Sequence, residues 1–348
     1  MSYFRSLLLP FTFFLIWVVF AFLDLRSSDG NTGLLNQGTS VLYEKFDNVP
    51  IHCGAIPEIN ICIDGALNSA NEATILFGNS QLHAVNNIAE DSVLAPLRIF
   101  LKSQEKNEYA ITISYGNANF EEIHWALQHT LSRISLKRIY IAAVFDDMRE
   151  VGLRPGMSAQ EYSDADINKV KDSGLKFLPE IDMQNLSESA IENFLTDTPA
   201  WNTRHELKYR INVNLRSIRN KVFGITPETK RKVLPYAYER NIKFYEKILK
   251  SALENNIETI VYIAPLLQDS EIPYVKEEYL TYIKDMQDIS LLHDARFYNF
   301  EKIVPLPDWG LKQNTQFSDS LEKDYMHFTE NGHEALAFEL MKVAYGDK

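Results

Sequence analysis

Two stretches of the chain contain residue types that can perform nucleophilic catalysis. Ser80 follows the apolar run 73–77, and Asp324 precedes His327 by three positions. A serine hydroxyl is a good nucleophile only when an adjacent base takes its proton. The base must itself be oriented, usually by a carboxylate that binds the other imidazole nitrogen. These three side chains could therefore form a set for acyl transfer, if the fold brings them together.

The elements that must position these residues alternate along the chain. Short apolar, β-branched segments alternate with amphipathic ones, which predicts a parallel sheet covered by helices on both faces. The predicted strands are 73–77, 109–113, 139–145, 257–264 and 295–300. The main predicted helices are 120–134, 241–255 and a last helix capped by Thr329. Ligands of such sheets bind at the carboxyl ends of the strands, and Ser80 follows the first strand there.

The order of Ser80, Asp324, His327 and a final helix resembles that of the SGNH, or GDSL-type, hydrolases. The most specific part is the end block from Asp324 to Gly332, and the resemblance covers residues 73–345. It implies a three-layer α/β/α, flavodoxin-like fold. It also implies Ser80 as nucleophile, His327 as general base and acid, and Asp324 as orienting carboxylate, with no cofactor and no metal.

Other positions bear on the oxyanion hole that this family uses. Asn79 stands where the family has Asp, one residue before the nucleophile. The resemblance implies a glycine amide donor after the second strand, for which Gly116 is the candidate. After the third strand, where the family has an Asn donor, this chain has Asp146 and Asp147, and Asn117, Asn119 or Arg149 could substitute for that donor. An ionised carboxylate cannot donate a hydrogen bond, and losing one donor costs about 10²–10³ in rate.

Two further groups of side chains have simpler interpretations than catalysis. His83 lies three positions after Ser80, and we interpret it as a pocket wall rather than as a rival base. The acidic residues 146, 147 and 150 have no histidine nearby, so a solvated loop is favoured over a metal site.

The amino-terminal segment predicts a membrane anchor within residues 1–26. Residues 7–23 are apolar on every face and contain no charge, and such a run can cross about 30 Å of hydrocarbon as a helix. A cleaved signal peptide is the alternative, but the following residues lack a small-x-small cleavage site. Arg5 precedes the run, which favours a cytoplasmic amino terminus and a body outside the cytoplasm.

Cys53 and Cys62 are the only cysteines of the chain. If they are bridged, they indicate an oxidising compartment; if not, they are small apolar side chains. Both interpretations stay open, because a sequence does not show whether the two Cα atoms are close enough.

The remaining segments complete the predicted organisation. Residues 27–66 are interpreted as a stalk or lead-in, and residues 67–348 as the α/β domain. Polar and charged residues at about 155–240 interrupt the alternation, and we interpret them as a helical insertion.

Composition excludes several classes of protein. The 348 residues are 45% hydrophobic and 12% aromatic, which allows a sizeable core and excludes a disordered chain. The net charge of −12 disfavours nucleic acid as a partner, because phosphate binding needs clustered Lys and Arg. Two cysteines exclude a disulfide-dense scaffold.

Together these features predict a membrane-anchored serine esterase or acyltransferase. By resemblance, its substrates would be O-acyl esters, such as O-acetyl groups, of cell-envelope or exopolysaccharide glycans. The alternative is a catalytically weak protein of this fold that binds a glycan or a polysaccharide-export partner in the envelope. A lipid-acting esterase ranks lower, since the sequence contains no long apolar lid. Hydrolysis and transfer share an acyl-enzyme, so the sequence does not separate them.

Overall fold

A central parallel sheet of five strands organises the molecule. The computed structural model describes residues 45–54, 56–83, 89–153, 229–268, 271–313 and 321–346. A short antiparallel ribbon, β1 (Lys45–Phe46) and β2 (Val49–Pro50), precedes the sheet. The sheet strands are β3 (Glu72–Gly78), β4 (Glu108–Ser114), β5 (Leu136–Ala143), β6 (Glu258–Ile263) and β7 (Arg296–Asn299). All five predicted strands are confirmed, although β5 ends at Ala143 and not at Phe145, which begins a 3₁₀ turn.

The strands lie in the order β4-β3-β5-β6-β7 and all neighbours are parallel. Counted from β3, this is the 2-1-3-4-5 order of flavodoxin-like sheets. The chain moves from β3 to β4 on one side and then crosses to β5 on the other. A crevice therefore opens at the carboxyl ends of β3 and β5, which is where such folds bind ligands.

Six helices are described, and they cover both faces of the sheet. They are α1 (Ile56–Leu67), α2 (Leu94–Ser103), α3 (Phe120–Leu131), α4 (Pro235–Glu254), α5 (Lys276–Leu292) and α6 (Glu330–Tyr345). Along β3, Ile75 and Phe77 pack in the core shared with α1, α3, α4 and α5, whereas Leu76 packs in the core shared with α2 and α6. Both faces of the strand are buried, which explains its continuous apolar sequence.

Local sequence explains where two of these helices begin. Asn119 and Glu122 form a capping box at the start of α3, with side chain and backbone bonded in both directions. Pro235 opens α4, where its missing N–H would have no helical partner.

Two antiparallel strands precede α6: β8 (Trp309–Gln313) pairs with β9 (Leu321–Phe328). Both Asp324 and His327 lie on β9. Thr329 does occupy the N-cap position of α6, but its hydroxyl donates to the backbone oxygen of Asp308 and does not cap the helix.

The described part of the predicted lead-in belongs to the core of the domain. Cys53 pairs with the edge of β4, its N–H donating to Thr112 O at 2.9 Å and its oxygen accepting from Ser114 N at 3.1 Å. On α1, Ile59 and Ile63 are fully buried against the sheet. Residues 45–66 are therefore part of the fold and not a stalk, whereas residues 27–44 lie outside the described residues.

Cys53 and Cys62 form a disulfide in this segment. The bridge joins the strand-like residue beside β4 to the middle of α1. Of the two interpretations that the sequence left open, the structure has the bridged one.

Most of the predicted insertion lies outside the described residues, which resume at Thr229. The predicted helix 241–255 is the second part of a longer helix, α4, which begins at Pro235, inside the range predicted as an insertion. This helix packs on α3 and on the sheet, so residues 235–240 belong to the helical layer and not to an insertion.

The predicted anchor, residues 7–23, also lies outside the described residues. Within the ranges that the structure does describe, none of the helices combines the length and the apolar character that crossing a bilayer requires.

Candidate active site

Ser80 lies in a tight turn at the carboxyl end of β3. The turn is a 3₁₀ helix, Ser80–Leu82, and Asn79 caps it by accepting from Gln81 N at 2.9 Å. The N–H groups of Leu82 and His83 also bond within the turn, to the backbone oxygens of Asn79 and Ser80. The amides of Gln81, Leu82 and His83 are therefore used by the turn itself.

Asp324 and His327 are in direct polar contact. Asp324 Oδ2 lies 2.6 Å from His327 Nδ1, and the carboxylate is buried. The other carboxylate oxygen, Oδ1, accepts from the backbone N–H of Met326 at 3.0 Å. The carboxylate is thus held from two sides, and it orients the imidazole.

A bulge in β9 explains how residues three positions apart can meet on a strand. Trp309 pairs with Phe328 and Leu311 pairs with Lys323, so one residue of β8, Gly310, opposes four residues of β9, 324–327. Side chains three apart on a regular strand point to opposite faces. The extra residues loop out of the ladder, and this allows the carboxylate to reach the ring.

Strand β9, which contains His327, packs against the turn Ser80–Leu82. Within the described residues, His327 Nε2 is buried and has no hydrogen-bond partner, so the Ser80 hydroxyl is not bonded to it in this structure. Catalytic hydrogen bonds are often long without substrate and tighten in the complex. The free Nε2 is the atom that a general base needs.

The junction between β9 and α6 fixes the position of His327. Asp308 O accepts from Thr329 N at 2.8 Å and from its hydroxyl at 3.1 Å. A Cβ on Gly332 would lie 2.6 Å from Phe328 Cβ and 2.8 Å from Asp308 O. Gly332 therefore permits the close approach of α6 to the strand, as its place in the end block suggested.

The three predicted amide donors have different surroundings. Tyr115 N donates to Gly78 O at 3.3 Å, which places the turn after β4 beside the start of the Ser80 turn. A Cβ on Gly116 would meet no atom within 4 Å, so this glycine borders open space. Asn117 has a φ of 54°, at the turn position that favours Gly or Asn.

Asn119 is not available as an oxyanion donor, which corrects the prediction for this residue. Its Oδ1 accepts from Glu122 N at 3.0 Å, and its Nδ2 donates to Gly152 O at 2.9 Å. Both ends of the amide are used to hold α3 and the chain after β5. An Asn that follows a strand is also a good helix cap, and here the cap is what the structure shows.

The structure places Asp146 in a cluster of cations beyond β5. Its carboxylate accepts from Arg231 and, at 3.1 Å, from the Tyr274 hydroxyl, and Arg149 lies 3.8 Å away. Sequence reasoning did not find Arg231 or Tyr274, because both lie far along the chain. Among the described residues, no three His, Cys, Asp or Glu side chains are arranged to hold a metal ion.

Asp147 and Gln81 are two further contacts of the Ser80 turn that sequence reasoning missed. Asn79 Nδ2 donates to Asp147 Oδ1 at 3.2 Å, and Gln81 Nε2 donates to Pro265 O at 3.0 Å. The only available signal was that all four residues lie just after strands.

Buried histidines line the same region and are kept neutral. The rings of His52 and His83 stack with centroids 4.1 Å apart. Burial lowers the pKa of His52 to about 4 and that of His333 to about 3. Burial, followed by the neighbouring His52, lowers the pKa of His83 well below its usual value. A base this weak fits a wall of the site, as predicted for His83.

Comparison with known proteins finds only distant likeness. No model of a known protein family matches the chain, and no curated protein matches it. The chain is similar to a psychrotrophic esterase EstA from Pseudoalteromonas sp., with 10% identity over 78% of this chain and 96% of that one, at a TM-score of 0.39.

Two further solved structures have similar values. A GDSL-like lipase from Bacteroides thetaiotaomicron is 10% identical over 82% of this chain and 96% of its own, with a TM-score of 0.40. An acetyl xylan esterase, AlAXEase, is 10% identical over 78% of this chain and 98% of its own, also at 0.40. Identities and TM-scores this low carry no conclusion about the reaction, which depends on the geometry of the site.

Proposed function

We propose that this chain is an SGNH-type serine esterase or acyltransferase that works through an acyl-enzyme. The observation that supports this most is the 2.6 Å contact between Asp324 Oδ2 and His327 Nδ1, which leaves Nε2 unbonded on a strand that packs against the turn of Ser80. A carboxylate on Nδ1 holds the proton there, so Nε2 carries the lone pair that can accept a serine proton.

The residues would act in two half-reactions. Ser80 Oγ attacks the acyl carbonyl carbon and its proton moves to His327 Nε2. The C–O bond to the alcohol then breaks, and the leaving oxygen takes that proton. In the second half-reaction, water or another hydroxyl attacks the acyl carbon and gives its proton to Nε2. The bond between the acyl carbon and Ser80 Oγ then breaks, and Oγ takes the proton back from Nε2. The backbone N–H groups of Ser80 and Gly116 are the proposed donors to the tetrahedral oxyanion, with Asn117 as a third candidate.

Loss of ester cleavage on Ser80→Ala tests this mechanism. The full-length chain in detergent micelles is assayed with a chromogenic acetyl ester, beside Ser69→Ala, which removes an exposed hydroxyl just after α1. We expect Ser80→Ala to lose activity while Ser69→Ala retains it. Equal cleavage by Ser80→Ala and the parent chain would show that another group performs the reaction.

We propose further that residues 7–23 anchor the protein in a membrane, with the catalytic body outside the cytoplasm. The support is the uncharged apolar run together with the disulfide Cys53–Cys62, since disulfides persist in oxidising compartments. Carbonate extraction of membranes, with and without residues 1–26, tests the anchor. Release of the full chain into the carbonate supernatant contradicts it.

The proposed substrates are O-acyl esters of cell-envelope or exopolysaccharide glycans. An anchored body outside the cytoplasm meets acylated glycans and lipids, and the sequence contains no long apolar lid for lipid. Acid release from O-acetylated polysaccharide is measured against release from phospholipid vesicles. We expect faster release from the polysaccharide, and preference for the vesicles contradicts the glycan assignment.

A second candidate function has one specific observation in its favour. Asp146 is an ion-paired carboxylate after β5, and in that state it cannot donate to an oxyanion. A catalytically weak envelope protein that binds a glycan or an export partner would tolerate this. A fluorophosphonate probe separates the two functions, because only an activated serine reacts quickly with it.

A further inference from the structure

Two buried side-chain hydrogen bonds tie the turn of Ser80 to neighbouring strand ends. Asn79 Nδ2 donates to Asp147 Oδ1 at 3.2 Å, just after β5. Gln81 Nε2 donates to Pro265 O at 3.0 Å, just after β6. All three side chains are at most 2% exposed, so water does not replace a bond that is lost. Both residues that flank Ser80 are therefore fixed.

Asn79 uses both ends of its amide. Its Oδ1 accepts from Gln81 N at 2.9 Å and closes the turn, while its Nδ2 donates to Asp147. A carboxylate at this position could close the turn but could not donate to Asp147. Because Asp147 is a carboxylate, position 79 needs a side chain that can donate a hydrogen bond, and the amide of Asn79 does so.

We propose that Asn79 and Asp147 are positioning residues for Ser80, an amide–carboxylate pair that sets the nucleophile relative to His327. The inference rests on the proposed function. The pair joins the ends of β3 and β5, the two strands between which the crevice opens. Displacing a reacting atom by about 1 Å can cost about 10² in rate, so loss of this bond acts on the reaction even if the fold survives.

The substitution Asn79→Asp gives the pair a pH dependence that the parent lacks. It places two carboxyl groups in buried contact, where both cannot ionise together. While the two groups share one proton, the protonated carboxyl group still donates to the ionised one and the turn is held. As pH rises, that proton is lost and repulsion opens the contact. Relative to the parent, the rate should be highest at low pH and fall as pH rises.

The exchange of the two residues separates pairing from side-chain identity. In the double variant Asn79→Asp/Asp147→Asn, the amide at position 147 donates to the carboxylate at position 79, which still accepts from Gln81 N. A matched control is Asn299→Asp, which alters an exposed amide–carboxylate contact, Asn299 Nδ2 to Glu301 Oε2 at 2.6 Å, on the outer strand β7.

The experiment measures the rate at which a fluorophosphonate probe labels Ser80 in the full-length chain in micelles, from about pH 5 to pH 9. For Asn79→Asp we expect about a 10²-fold loss relative to the parent at the alkaline end, shrinking steadily towards the acidic end. The exchanged double variant should recover most of that loss at every pH. Asn299→Asp should follow the parent throughout.

Each outcome decides between the two proposals. A labelled parent with an Asn79→Asp variant that follows it at every pH overturns the positioning pair alone. An unlabelled parent overturns the proposed function and this inference with it. If Asn79→Asp does not fold, the exchanged variant carries the test. Should that variant fail to fold, or fold without recovering the rate, the pairing is wrong.

Discussion

At the imidazole of His327, the two ring nitrogens have different surroundings. Nδ1 contacts a carboxylate at 2.6 Å, and Nε2 is buried with no hydrogen-bond partner among the described residues. The carboxylate selects the tautomer that carries its proton on Nδ1, which leaves a lone pair on Nε2. The chemistry proposed for Ser80 depends on this one contact more than on any other.

Replacing Asp324 by Asn reverses that tautomer. The amide donates to Nδ1, the ring proton moves to Nε2, and the base is blocked. We expect ester cleavage to fall by about 10⁴-fold, as in other triads, with little change in thermal midpoint. Asp288→Asn, an exposed change on α5, is the control. An Asp324→Asn variant that keeps the parent's rate would show that His327 does not depend on the carboxylate.

The contacts of the site residues differ in how well the sequence predicts them. The spacing of Asp324 and His327 allowed them to pair, but their contact depends on the bulge in β9, which the sequence does not show. The role of Asn119 could not be predicted either, because the same amide can donate to an oxyanion or cap a helix, and only the position of Gly152 decides. The ion pair of Asp146 with Arg231 spans 85 residues, beyond what local pattern can indicate.

At the scale of elements, the junction of β9 and α6 holds the base in place. The substitution Gly332→Ala would put a Cβ 2.6 Å from Phe328 Cβ and 2.8 Å from Asp308 O. Both neighbours belong to the segment that positions His327, so relief of the clash moves the base.

We expect Gly332→Ala to lower the free energy of unfolding by about 1–3 kcal/mol. Ester cleavage should fall by about 10²-fold through displacement of His327. Denaturant titration and the ester assay measure the two effects. Glu334→Ala, at an exposed residue of the same helix, should change neither. A Gly332→Ala variant with the parent's stability would mean that α6 adjusts without moving the strand.

The disulfide fastens the edge of β4 to α1. Cys53 and Cys62 are fully buried and 9 positions apart. Replacing both by Ala should lower the free energy of unfolding by about 2.5 kcal/mol, from the chain entropy of a loop this short. Denaturant titrations of parent and variant, each with and without reductant, measure the difference. Reductant should lower the free energy of unfolding of the parent but not that of the variant. An equal decrease in the variant would show that reductant does not act through this disulfide.

Two elements were missed because their sequences lack the usual periodicity. The segment 321–328 is rich in charged residues, and the strand that it forms carries a bulge. Its sequence therefore lacks the regular apolar alternation that indicates a strand. The helix α1 follows a turn-rich stretch and contains Gly65, which obscured its apolar stripe. By contrast, the five sheet strands are short apolar runs whose two faces are both buried, and their sequences indicated them well.

For the whole molecule, the buried histidines link stability to pH. Burial lowers the pKa values of His52 and His124 to about 4 and that of His333 to about 3. An unfolded chain protonates these side chains below about pH 6.5, whereas the folded chain does not until much lower. The unfolded state therefore binds more protons in that window, and stability falls as pH falls from about 6.5 to about 4.

His333→Leu tests this link at a residue that is fully buried. Each such histidine contributes up to about 1.4 kcal/mol per pH unit to the change of the unfolding free energy with pH. We expect a shallower loss of unfolding free energy between about pH 6.5 and about pH 4.5 in the variant. Ser69→Ala, at an exposed residue without a titratable side chain, should keep the parent's slope, and an unchanged slope in His333→Leu contradicts the assignment.

The order of the strands could not be derived from the sequence pattern. Alternating apolar and amphipathic segments predict a parallel sheet, but the side on which each crossover lies depends on contacts between distant residues. The order β4-β3-β5-β6-β7 is what brings Asn79 and Asp147 together. The sequence located both residues at strand ends without showing that those ends are adjacent.

The central claim is that Ser80 is a nucleophile activated by His327 and Asp324. Its most direct test is peptide mass spectrometry of the full-length chain after reaction with a fluorophosphonate probe. We predict one adduct, on the peptide that contains Ser80, which is absent from Ser80→Ala and strongly slowed in His327→Ala. An adduct on another residue, or labelling of Ser80 that is as fast without His327, would contradict the account.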